Sequence, residues 1–199
     1  MNEEFSLTSP IVSAGGVAQH FPTPSWVIEL LWATGLPRGW WEGATSLLDP
    51  SCGEGQILST LHPRFLRTVG LELDPQRAEL ARQAGHEVFT CDALAAVWPA
   101  ADLLVMNPPY GSLALPFLQK ALAWREAAAG RRVCALFHLS FLDPMAGRAA
   151  LFRQAPPDVV HLPRRPKFGT VGTNPIGSAW YCWPGTGEAG ESRNLWGTL

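Results

Sequence analysis

No two cysteines stand close together in this sequence. The four, Cys52, Cys91, Cys134 and Cys182, are scattered and form no CxxC pair. A structural zinc site draws on closely spaced ligand pairs, and a disulfide framework on a short secreted chain. Separate reduced thiols are therefore expected, and no metal site. No apolar run approaches the ~18 residues that a membrane span requires. The opening MNEEFSLTSP is acidic and poor in apolar side chains, unlike a secretory signal. Both features point to the cytoplasm and to no membrane partner. The chain also lacks an excess of either charge: its formal net charge is -2. That weighs against tight, sequence-independent binding of duplex nucleic acid, where phosphate neutralisation supplies most of the affinity. Positive charge is local instead, with Arg148, Arg153, Arg164, Arg165 and Lys167 in one stretch while acidic residues gather in the N-terminal half. Such asymmetry fits a basic rim around a cleft, and fits an ordinary solvated surface equally well.

What is present is enough apolar material for one core: 199 residues, 47% of them hydrophobic. Residues 1–16 read as a flexible leader, 17–185 as a single domain and 186–199 as a loose tail rich in Gly, Glu and Ser. Nothing is left over for a separate target-recognition domain. PTPSWVIELLWATG spaces apolar residues as a helix does, with Thr23 or Ser25 as N-cap and Gly35 as stop. TSLLDPSCGEGQIL, TVGLELDP, HEVFTCDAL and DLLVMNPPY each open on a short apolar run and close on polar, glycine or proline residues. PQRAELARQAG, between the second and third, is a helix ending at Gly85. A helix over Leu115 to Ala129, a buried strand in RRVCALFHLSF, a helix over Pro144 to Gln154, and strands at VVHL and SAWYCW follow. Strands alternating with helices imply an α/β fold: a doubly wound, mostly parallel sheet of about seven strands with helices on both faces.

In such sheets ligands bind at the carboxyl ends of the strands, where these polar clusters converge. Asp49, Ser51, Gly53 and Gly55 follow the first strand. The two glycines permit a tight turn and a close ligand approach, and Asp49 suits a cationic ammonium group. Taken alone, the GxG reads equally well as a structural turn. Leu58 stands where a dinucleotide fingerprint has its third glycine, which disfavours NAD. Glu72 and Leu73 end the second strand, and the carboxylate can accept from both hydroxyls of a ribose. Asp92 and Ala93 end the third; Asp92 suits an adenine amino group, or simply a helix N-cap.

The most specific signal is Asn107-Pro108-Pro109-Tyr110. Proline confines the residue before it to extended conformations, so Asn107 and Pro108 are held stiffly. The Asn107 side-chain oxygen and the Pro108 carbonyl can each accept one N–H of an amino group. Two acceptors so placed turn the lone pair of a flat aryl amine toward an electrophile, and no covalent nucleophile is needed. Tyr110 offers a platform for a planar substrate. Phe168 is the candidate second face, ahead of Trp180 and Trp183, which alternate as core residues do. Arg164, Arg165 and Lys167 beside it suit phosphate.

With these motifs in hand, the chain resembles the class I S-adenosylmethionine (SAM)-dependent amino-methyltransferases. More closely, it resembles the small adenine-N6 DNA methyltransferases, including stand-alone phage and prophage forms, in which the cofactor motifs precede NPPY. FPTPSWV is similar to their N-terminal cofactor motif, which implies that Thr23 and Pro24 touch the methionine end. DPSCGEG resembles the glycine-rich motif, LELD the ribose acid, CDAL the adenine acid, and NPPY the catalytic loop to which cofactor and base both come. RPKF followed by AWYCW resembles the late motif whose aromatic residue packs on the target base. The resemblance implies SAM as cofactor, DNA as partner, and transfer to adenine N6 after base flipping. RNA N-methylation, methylation of a protein glutamine amide, and a binding module without catalysis stay open. With no target-recognition domain, a very short site, single strands or a separate specificity partner is implied.

Overall fold

The computed structural model describes residues 22–143, 146–168, 177–185 and 193–196. The expected leader, and most of the expected tail, lie outside them. The elements run α1 (Ser25–Gly35), β1 (Ser46–Asp49), α2 (Gln56–Leu61), β2 (Arg67–Glu72), α3 (Pro75–Gln83), β3 (Glu87–Thr90) and β4 (Leu103–Met106). They continue with α4 (Ala114–Glu126), β5 (Arg132–His138), α5 (Ala146–Gln154), β6 (Asp158–His161), β7 (Ser178–Trp183) and β8 (Asn194–Trp196). All eight strands form one sheet in the order β3-β2-β1-β4-β5-β7-β6-β8. β7 runs antiparallel to both of its neighbours, and the other pairings are parallel. The strand order reverses between β1 and β4, so this is the doubly wound α/β fold expected, with one strand more.

Strand alternation divides the core into two layers. Leu47, Val105, Cys134, Leu136, Trp180 and Cys182 face α1, α2 and α3. Their neighbours Leu48, Leu104, Met106, Ala135, Phe137 and Tyr181 face α4 and α5. Trp180 and Trp183 are therefore core, and their indole N–H groups donate to the Val27 and Ala155 carbonyls at 3.0 and 2.9 Å.

Two expectations need correction. The eighth strand lies in the stretch read as a loose tail. Arg193, just before β8, grips the buried Asp158 carboxylate at 2.6 and 3.0 Å, and its carbonyl accepts the Val159 N–H at 2.7 Å. Composition alone hides so short a strand, because its partner groups are distant in the chain. Second, α1 is capped by neither Thr23 nor Ser25; its N-cap is Pro24, with no side-chain bond. Ser25 instead accepts from the Gln56 amide at 3.1 Å, and Thr23 is directed to the site described below. α1 ends at Gly35, as expected, though the left-handed residue that turns the chain is Gly39 at φ 68. Gly35 is there for packing: a Cβ would lie 2.2 Å from the Trp41 ring.

Candidate active site

The carboxyl ends of β1, β2, β4 and β5 bring Asp49, Glu72, Asn107 and His138 to one edge of the sheet. After β1 the chain turns through Gly53 at φ 55 and Gly55 at φ 87, a region that side chains with a Cβ rarely enter. A Cβ on Gly55 would also press on His86 and Ala81 at 3.1 and 3.2 Å. This loop is fastened from the next strand. One Glu72 oxygen accepts the Gly53 N–H at 2.8 Å and the other accepts the Asp74 N–H at 2.9 Å. Asp49 is buried and accepts the Ser51 N–H at 3.0 Å. Burial pushes its carboxyl up to about 7; the Ser51 hydrogen bonds oppose the shift, and the neighbouring Glu72 charge adds to it.

Asp92 is exposed and its carboxylate accepts the Leu94 N–H at 2.8 Å, closing a turn rather than capping a helix. The following loop is fixed by a residue that sequence reasoning missed. Lys120 of α4 donates to the carbonyls of Ala93, Leu94 and Ala96 at 2.5–2.8 Å and stands over the Trp98 ring. Burial lowers the pKa of its ammonium, while Asp92 and Cys91 oppose the shift. The available signal was a lysine set among Phe117, Leu118, Ala121 and Leu122. Leu73, beside Glu72, is 49% exposed.

The Asn107 amide is gripped at both ends. Its nitrogen donates to the Thr23 hydroxyl at 3.0 Å, and its oxygen accepts the Tyr110 hydroxyl at 2.9 Å. Burial raises the Tyr110 pKa, which keeps that hydroxyl protonated and a donor. The Ser51 hydroxyl reaches the Asn107 backbone carbonyl at 3.4 Å, a long contact that ties the β1 loop to the NPPY loop. Pro108 is buried and Pro24 half-buried. The Tyr110 ring lies 4.7 Å from that of His138, tilted by 52°. Burial lowers the His138 pKa, favouring the neutral imidazole. His138 was also missed, although it ends an apolar run just as Asp49, Glu72 and Asn107 do. Cys52 is no nucleophile, because burial holds its thiol protonated.

Phe168 is only 6% exposed and packs in the layer with Trp26 and Leu162. The structure thus places its ring inside the wall rather than at the surface. Arg164, Arg165 and Lys167 are exposed, and the Arg164 guanidinium stacks over Trp26 at 4.7 Å. Among the described residues no group of three or more His, Cys, Asp or Glu is placed to hold a metal. None of the described helices is long and apolar enough to cross a membrane.

No protein-family model matches the chain. In an alignment of 72 residues that covers 33% of its length, it is 36% identical to the type II methyltransferase M.CvrRI of Paramecium bursaria Chlorella virus XZ-6E, of which the match covers 18%. Among solved structures, it superposes on a modification subunit ascribed to a type I restriction enzyme of Vibrio vulnificus YJ016. That pair has a TM-score of 0.65 and 17% identity, over 90% of this chain and 46% of the other. An RNA methyltransferase from Salinibacter ruber, solved with S-adenosyl-L-homocysteine, gives a TM-score of 0.52 and 19% identity, over 81% of this chain and 92% of the other. The fold is the one these proteins share. The fold sets Asp49, Glu72 and Asn107 at one sheet edge. The chain matches less than half the length of the viral relative and of the Vibrio subunit.

Proposed function

We propose that this chain is a SAM-dependent methyltransferase that acts on an exocyclic amino nitrogen, and that its acceptor is N6 of adenine in DNA. The observation that carries the reading is the Asn107 amide, held by Thr23 on its nitrogen and met by Tyr110 on its oxygen.

The residues present fit the cofactor. A buried carboxyl with its pKa near 7 calls for a cation, and Asp49 suits the ammonium of the methionine end. Glu72 uses one lone pair of each oxygen on backbone N–H groups, and a carboxylate has roughly four such sites, so capacity for a ribose remains. Gly53 and Gly55 allow close approach, and Thr23, Pro24 and Ser51 flank the same region. In this reading Leu73, Asp92 and Ala93 border the adenine. When bound, SAM supplies an electrophilic methyl carbon on a sulfonium sulfur.

The chain's own residues prepare the acceptor. The Asn107 Oδ1 and Pro108 carbonyl accept the two amino hydrogens, which favours a pyramidal nitrogen with its lone pair projecting from the base plane. Stiff acceptors do not relax away as charge develops, so their orienting effect is kept through the reaction. Tyr110 holds the base plane. A base within a duplex must first be flipped out, and the exposed Arg164, Arg165 and Lys167 suit the flanking phosphates. Phe168 serves as second face only if the side chains covering it give way. Sequence reading is assigned to a very short site, to single strands or to a separate partner.

The match to a viral type II methyltransferase supports DNA. An RNA acceptor is the second reading, favoured by the shared fold with an RNA methyltransferase. Incubation with methyl-labelled SAM and separate pools of duplex DNA, single-stranded DNA, RNA and protein, followed by mass spectrometry, tests both. We expect label on N6 of deoxyadenosine; label confined to RNA supports the second reading, and label confined to protein ends both.

A further inference from the structure

We infer that Thr23 is a positioning residue for methyl transfer, whose hydroxyl holds the Asn107 amide in one place and one plane against the acceptor amine. This rests on the amino-methyltransferase reading above and gives Thr23 a task beyond contact with the cofactor.

An asparagine oxygen is useful as an acceptor only while the amide stays in place: swung about its side-chain torsions, Asn107 would no longer meet the amine. The NPP backbone does not prevent this, since prolines restrain main-chain rather than side-chain torsions. Thr23 does. Its hydroxyl oxygen accepts from Asn107 Nδ2 at 3.0 Å across 84 residues of sequence, while the Tyr110 hydroxyl donates to Oδ1 from the other side. Thr23 is 3% exposed, so water competes poorly for that bond.

The anchor itself is rigid. Thr23 immediately precedes the Pro24 cap, whose carbonyl accepts the Val27 N–H at 2.9 Å, and Val27 and Ile28 of α1 are fully buried. Local chemistry would employ Thr23 as a helix cap; here α1 forgoes any side-chain cap, and the hydroxyl is turned toward the NPPY loop instead. Its own proton is still available to donate elsewhere, so cofactor contact and amide positioning are compatible.

The test compares Thr23→Val, which keeps the shape and removes the acceptor, with Thr23→Ser, which keeps the hydroxyl. In single-turnover methylation of adenine-containing DNA, at SAM concentrations that saturate each variant, Val should slow transfer by about tenfold or more, while Ser stays within about threefold of wild type. A second readout needs no reaction. The Asn107 side-chain amide NMR signals, assigned by their loss in Asn107→Ala, should move toward those of an exposed amide in Val and stay put in Ser. Unchanged amide signals in a folded Val variant would overturn the proposal, as would a roughly tenfold loss of SAM affinity with the saturated rate intact. Failure of the wild type to methylate any amine would instead overturn the reaction reading. That outcome is told apart because the amide signals report on Thr23 without substrate.

Discussion

Asp49 is the residue at which burial, charge and pH meet. Its carboxyl is pushed up to about 7, chiefly by burial. Without a cationic partner, the folded protein therefore holds a proton on Asp49 between the unfolded carboxyl value, 3.8, and about 7. Over that range the unfolded chain has already lost the proton, so Asp49's contribution to stability falls as pH rises and levels off above about 7. Binding a cation has the opposite dependence, because the ammonium pairs with the carboxylate. SAM affinity should rise by up to about tenfold per pH unit below 7 and flatten above it, with proton release on binding. Asp49→Asn should bind SAM weakly and with little pH dependence between pH 6 and 8. Calorimetry in buffers of different ionisation enthalpy checks both; a wild-type affinity flat across that range would remove Asp49 from the ammonium site. The candidate was legible because an acidic residue closed an apolar run just before a glycine-rich turn. Its pKa was not legible, since depth of burial depends on packing that no local pattern records.

The loop between β1 and α2 shows how an element is shaped by its neighbour. Gly53 and Gly55 are readable as turn glycines, and both have left-handed φ values. Gly70 gave no such signal, lying mid-strand in β2 with an ordinary backbone. It is required for space: a Cβ there would meet Cys52 Sγ at 2.5 Å and Leu58 Cδ1 at 3.1 Å. Gly70→Ala should therefore destabilise the fold by about 1–3 kcal/mol in urea unfolding, with weaker cofactor binding as the Cys52 turn is displaced. Adding Cys52→Ala should recover part of that loss, since the two sites share one volume. Equal stability of Gly70→Ala and wild type would show that the loop yields easily. The same distinction governs α1. Periodicity located the helix, but its capping and the role of Gly35 depend on Asn107 and Trp41, which come from other parts of the chain.

Across the whole molecule, the alternation of strands and helices was legible because each strand carries its own apolar run and each loop its own polar stop. β8 escaped because three residues bear no period, and their place is set by Arg193 closing on Asp158. The late aromatic motif was legible as sequence, yet Phe168 is packed in the core layer beside α1, so its exposure was not. The net charge of -2 is compatible with the proposed polyanionic partner, because Arg164, Arg165 and Lys167 are exposed together. The proposed function converges on Asn107, where α1, β4 and the NPPY loop meet. The most direct test is Asn107→Ala, assayed for SAM affinity by calorimetry and for transfer in single turnovers with adenine-containing DNA. The account predicts affinity within about threefold of wild type and transfer slowed by about a hundredfold or more. Transfer at the wild-type rate, with cofactor affinity lost, would contradict it.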